Sequence, residues 1–297
     1  MDNKIITQLL KQVAEKNIGA AVNDLRKLRN CFAEIIGLLD KEQIKLPHIW
    51  HEYYEAIAIK FRLNINSIIE LYEIEEYLPK HIIYHDLSSI YLLNRSLLET
   101  YLTFFYCYML PQNNEEGLMN YYIFKISGLI HRQNYSISGF EEINSEFLKR
   151  KEDEKFDIKY YQTELQKLQS FIALDLKKNE RDNLLNGKFA KRFGFIELIK
   201  LSKLKDNLFI DMWKLYSNYA HCELLGLLQI NSYADEPEKI YDALYGTLLN
   251  TSIVTSLMIK DFIKIYKNSS IENIEIRELD EALMMTIEFW LLQGTEL

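Results

Sequence analysis

The sequence is short of the residues that build tight turns. Only 10 glycines and 4 prolines occur in 297 residues. Hairpin-rich β architectures need both for their special backbone angles, so the scarcity argues for helices joined by few turns. Cysteine is scarcer still. Cys31, Cys107 and Cys222 are far apart, odd in number and form no Cys-x-x-Cys. That excludes a zinc ribbon or a disulfide framework and points to reduced thiols in a cytoplasmic protein. The glycines are isolated, so no glycine-rich loop exists to cradle phosphates. No Glu-x-x-His pairs mark a di-iron bundle, and no cofactor is expected. The N-terminus, MDNKIITQLLKQVAEKN, lacks the apolar centre of a secretion signal. The charge-free stretch from Ala243 to Ile259 falls short of the roughly 20 residues that span a bilayer, and it contains Asn250 and several Ser and Thr. We read it as a buried central helix, and no membrane as a partner.

Positive charge is also in deficit, with a formal net charge of −8. Generic nucleic-acid binding demands clustered cations, so any RNA contact must be local. What is abundant is apolar and aromatic: 48% hydrophobic residues, 20 Tyr and 15 Phe. Such a chain can bury a core and is not disordered. The reading is an all-α multi-helix bundle, one domain over 1–297, with a polar, mobile insertion at about 135–187. Within it, residues 135–156 read as a loop with a short helix and 157–183 as a solvated helix. Further helices are expected at about 189–203, 206–230, 237–267 and 276–293. From Lys80 to Leu110 no proline or glycine intervenes, which predicts the longest helix of the chain, ended by Pro111-Gln-Asn-Asn.

That helix carries a polar stripe. At about 100° per residue, His81, His85, Ser88, Leu92, Arg95, Glu99, Thr103 and Tyr106 fall within a wedge of roughly 80°. The stripe reads either as the one solvent-facing side or as the lining of a cavity. His81 and His85 have the spacing of a two-histidine metal site. No third ligand shares their face. Asp86 points about 100° away, and Glu99 lies about 21 Å along the axis from His85. No metal is therefore expected, and His81 and His85 read as surface or partly buried. Arg95 and Glu99, also four apart, read either as an intrahelical ion pair or as a half-buried charged pair that requires partners.

Two other groupings stand out. In MWKLYSNYAHCELLG, residues Met212 to Gly226, the side chains of Trp213, Ser217, His221, Leu224 and Leu228 share one helical face. Ser217 and His221 are one turn apart, but no third group completes a hydrolytic triad. A histidine meeting Arg95 or Glu99 across a helix interface is the better reading. The only concentrated basic run is Lys177, Lys178, Arg181, Lys188, Lys191, Arg192, Lys200, Lys203 and Lys205. It is either a solvated face or a phosphate-attracting surface, with Lys188, Lys191 and Arg192 at its centre.

The segments Leu93-Asn-Arg95-Ser96-Leu97-Leu98-Glu99-Thr-Tyr101 and Tyr216-Ser217-Asn-Tyr219-Ala-His221 resemble a poorly characterised group of bacterial all-helical proteins. These pair an Arg-Ser-Leu-x-Glu helix with a downstream Ser-x-x-x-His helix. The group is similar to the HEPN superfamily, many members of which are ribonucleases of toxin–antitoxin and phage-defence systems. The resemblance covers roughly residues 80–230. It implies a HEPN-like core with additional N- and C-terminal helices, and RNA or a nucleotide as the partner. It also implies a metal-independent ribonuclease site of Arg95, Glu99, Ser217 and His221. His221 would serve as general acid or base, Arg95 would stabilise phosphate charge, Glu99 would orient Arg95, and Ser217 would place the imidazole. One departure is plain. The usual motif sets an arginine four to six residues before the histidine, and here Lys214 stands nearest that place. The alternative is a non-enzymatic interaction protein with a protein partner, in which the Arg–Glu–His network only ties helices together. A homodimer fits either reading.

Overall fold

The computed structural model describes residues 3–41, 45–73, 86–135, 145–220, 223–268 and 281–296. It is an all-α multi-helix bundle. The helices in chain order are α1 (Asn3–Ala14), α2 (Ile18–Lys41), α3 (Tyr54–Glu73), α4 (Leu87–Phe104), α5 (Asn114–Gln133), α6 (Ser145–Lys167) and α7 (Gln169–Ile172). They continue with α8 (Lys178–Leu185), α9 (Phe195–Leu201), α10 (Asp206–Ala220), α11 (Leu224–Asp235), α12 (Pro237–Asn268) and α13 (Glu281–Gly294). Among the described residues no helix is long and apolar enough to cross a membrane. The sequence expects one domain, and the chain groups into two compact units. The first holds Met1–Pro47, Tyr53–Phe104 and Phe195–Leu297; the second holds His48–Glu52 and Phe105–Gly194.

The first unit is built around α12. Proline suits the first turn of a helix, and Pro237 opens α12. From Asn250 to Ile259 every residue is buried, so the charge-free stretch is the central helix that the sequence predicts. Helices α2, α4 and α13 pack against it, with α3 against α2 and α4. Phe32 of α2 lies edge-on to Phe61 of α3 and Phe262 of α12, at 6.0 and 5.2 Å. Several polar groups caught in this core find partners. Tyr54 and Tyr72 donate to the carbonyls of Phe262 and Leu244. The Thr251 hydroxyl donates to Asn94 Oδ1 at 2.5 Å, and Tyr101 donates to Asp261 at 3.0 Å. Burial raises the Asp261 carboxyl above its ordinary range.

The second unit centres on α5. Its start shows why Pro111-Gln-Asn-Asn ends the preceding helix. The Asn113 side chain accepts from Glu116 N, and Glu116 accepts from Gln112 N, so orphan amides at the helix entry are satisfied. Before it, α4 passes into a π-helical turn over Phe105–Met109. The carbonyl of Tyr106 in that turn accepts from Asn120 of α5 at 2.8 Å. The structure differs from the sequence reading at α6, which begins at Ser145 and runs as one long helix through the charged stretch expected to be a loop with a short helix. Pairs such as Glu146–Arg150 and Glu152–Lys155 line its exposed face. On its other face Glu154 is buried and accepts from Arg132 and Gln133 of α5. A turn forms at Asn186-Gly187 as expected, with Gly187 at φ +64°, a conformation that glycine adopts without strain. Residues 188–194 are irregular where the sequence predicts a helix from 189. The Arg192 amide there donates to the Tyr106 hydroxyl instead of to a helical carbonyl.

Candidate functional site

Helix α4 sorts its residues by face. Asn94, Leu97, Leu98 and Tyr101 are buried, while Arg95, Ser96, Glu99 and Thr103 are only partly covered. That second side meets α10. Tyr91 of α4 fixes the meeting, with its ring 5.0 Å from Tyr216 and 4.7 Å from Tyr219. One turn further along α4, Arg95 Nε donates to Glu99 Oε1 at 2.9 Å. The same oxygen accepts from the indole N–H of Trp213 on α10 at 3.0 Å. The guanidinium carbon sits 5.4 Å from the centre of the Trp213 ring, within reach of a cation–π contact. Phe195 of α9 packs at 6.3 Å on Trp213 and extends the aromatic wall.

The cluster is thus a guanidinium held from two directions. Glu99 holds its Nε edge and the Trp213 ring lies beside its Cζ. The Arg95 and Glu99 side chains remain 21% and 26% exposed. The Arg95 Nη groups have no partner among the described residues. Such a group can donate to a phosphate or carboxylate in bidentate fashion, and the adjoining indole can stack on a planar base.

The four residues predicted as one site fare differently. Arg95 and Glu99 meet, by the helical spacing that suggested it. Ser217 does not join them through its hydroxyl, which donates to the Trp213 carbonyl one turn back in its own helix at 2.7 Å. His221 lies outside the described residues, as do His81 and His85. The residue that sequence reasoning missed is Trp213. It stands on the face of α10 already singled out, eight residues before His221, but nothing in one dimension says that its N–H reaches Glu99.

Lys188, Lys191 and Arg192 belong to the second unit, and the basic run from 177 to 205 is divided between the two units. Arg192 is engaged there: its Nε donates to Asn120 Oδ1 at 3.3 Å, and its guanidinium lies 4.9 Å from the Phe193 ring. Lys188 is exposed beside Phe189. Lys191 lies near the Cys107 thiol, which burial pushes up to about 12. Cys31 is likewise pushed up to about 12 by burial, so neither thiol is nucleophilic at neutral pH. Lys125 donates to both oxygens of Glu52, at 3.0 and 2.8 Å. It lies between the rings of Tyr121 and Tyr161, and Tyr121 donates to the same carboxylate. Every polar end in this cluster is turned on another, which suits a tie better than a site. His51 is buried against Trp50, and desolvation followed by the nearby His48 lowers it to about 4, leaving it neutral. Among the described residues no group of three His, Cys, Asp or Glu could hold a metal ion. No protein-family model, curated protein or solved structure matches the chain.

Proposed function

We propose that this chain is a HEPN-like helical protein that acts on RNA or a nucleotide, of the kind found in phage-defence and toxin–antitoxin or stress systems. One observation carries the reading. The Arg95 guanidinium is oriented by Glu99, faces Trp213 and keeps its outer N–H groups for a ligand. In this reading Arg95 holds a phosphate, Trp213 stacks on a base, and His221 exchanges the proton, a role that rests on the resemblance alone. The reaction is metal-independent cleavage, in which the ribose 2′-hydroxyl attacks the adjacent phosphorus and the 5′-oxygen leaves.

The test is incubation of the purified chain with a mixed RNA pool, with and without chelator, beside Arg95→Ala and His221→Ala. We expect chelator-resistant cleavage that leaves cyclic phosphate ends, with about a hundredfold loss in either variant. Cleavage that survives both substitutions removes the assigned site.

A second reading is favoured by a different feature of the same cluster. Glu99 Oε1 accepts from α4 and α10 at once, as a tie between helices would. An intact protein that cleaves neither RNA nor nucleotide, and in which Glu99→Ala costs only stability, belongs to this reading.

A further inference from the structure

A cavity of about 490 Å³ opens in the first unit, between α10, α12 and α13. Its size falls in the range of small-molecule sites. One face of α12 forms a wall. At about 100° per residue, its lining residues Asp242, Gly246, Asn250 and Ile253 fall within a wedge of about 80°. Gly246 and Asn250 are one turn apart. A Cβ placed on Gly246 meets nothing within 4 Å, so the open space reaches the α12 backbone beside Asn250.

Asn250 is the inner polar group of that wall, with only 8% of its surface exposed. Its N–H side lies by the Tyr216 hydroxyl. Its carbonyl oxygen has no donor among the described residues, yet it is not sealed from the open space. A carboxamide sets an acceptor beside a donor. Its complement is a donor beside an acceptor, the edge of a cyclic amide. The amide N–H would donate to Asn250 Oδ1, and the amide carbonyl would accept from Nδ2. Carboxamides read the edges of bases by the same two-bond pairing.

The other polar residues of the lining compete little. Asp242 stands at the exposed rim and is neutralised by Lys16 at 2.6 Å. The Thr247 hydroxyl already donates to the Ala243 carbonyl. Tyr91 lays its ring against Tyr216 and Tyr219, and Gln293 is exposed to water. Much of the rest is apolar, with Leu208, Met212 and Leu215 of α10 facing the α12 wall. A charged ligand would lose its hydration here and gain no free counter-charge.

We propose that this cavity is a binding site for a neutral, largely apolar ring compound that pairs a cyclic amide edge with the Asn250 carboxamide. Arg95, Glu99 and Trp213 take no part in it, and it stands independently of the RNA reading.

A fluorescent amino-quinolinone and the matching amino-coumarin are suitable probes. They share shape and carbonyl, and differ in that the ring N–H of the first is an oxygen in the second. Titrated with the full chain, the quinolinone should bind saturably, one to one. The coumarin should bind about tenfold more weakly, the loss of one hydrogen bond. Asn250→Ala should bring the two probes to equal affinity. Gly246→Leu should fill the space and abolish the binding of both, with a melting temperature no lower than that of the parent chain. Absence of saturable quinolinone binding, or binding unchanged in Gly246→Leu, overturns the site. Equal affinity of the two probes for the unaltered chain overturns the amide edge, and this comparison needs no variant to fold. A preference that survives Asn250→Ala overturns the assignment to Asn250. Equal affinity for a carboxylate-bearing quinolinone overturns the neutral class.

Discussion

Glu99 and Ser217 look alike as sequence candidates and differ in what they hold. Glu99 accepts from Arg95 on its own helix and from Trp213 on the next. Truncating it would leave a partly buried guanidinium and an indole N–H without an acceptor, and unmet groups of this kind cost about 1–3 kcal/mol. Ser217 donates only to a carbonyl one turn back, a bond that stabilises a helix little. Glu99→Ala should therefore lower the urea midpoint by an amount worth about 1–3 kcal/mol, while Ser217→Ala should stay within about 0.5 kcal/mol. Ser217→Ala should also leave RNA cleavage intact. A large activity loss in Ser217→Ala would restore the serine to the site and show that its helix-bound rotamer is not the working one.

At the scale of elements, the all-α class was legible because it depends on residues that are scarce. With few glycines and prolines, each break is informative: Pro111 and Asn113 before α5, Asn186-Gly187 after α8, and Pro237 at the head of α12. The Arg95–Glu99 pair was legible because it depends on helical period alone. Trp213 was not, because its partner is 114 residues away. Nor was the start of α6. The charges that made 135–156 read as a loop with a short helix include Glu154, which turns inward to Arg132, and only the fold reveals which charge that is. Two glycines on the α12–α13 pair carry opposite predictions for the same reason. Gly246 is mid-helix with open space above it, so Gly246→Ala should add up to about 1 kcal/mol from helix propensity. A Cβ on Gly294 would collide with Ile253 of α12, so Gly294→Ala should push α13 outward and cost about 1–3 kcal/mol. Thermal melts of the two variants should shift in opposite directions, and a shared sign would mean that α13 adjusts freely over α12.

For the whole molecule, charge decides how an RNA ligand arrives. A net charge of −8 repels a polyanion at long range. At the Arg95 cluster the chain offers one guanidinium, held beside Trp213. Repulsion between distant charges is screened over about 10 Å at 0.1 M salt, whereas a direct contact is screened much less. Association with a short single-stranded RNA should therefore speed up, or hold steady, as salt rises from about 20 to 200 mM, opposite to the behaviour of a basic binder. The equilibrium constant should fall only gently. One phosphate contact releases about 0.7 counterions, which sets a logarithmic slope near −0.7. Stopped-flow rates and equilibrium titrations across that range measure both quantities. A steep slope, of −3 or beyond, requires four or more phosphate contacts. That would transfer RNA recognition from Arg95 to exposed lysines elsewhere, such as Lys177, Lys178 and Lys188 of the second unit, and Arg95→Ala would then leave affinity nearly unchanged.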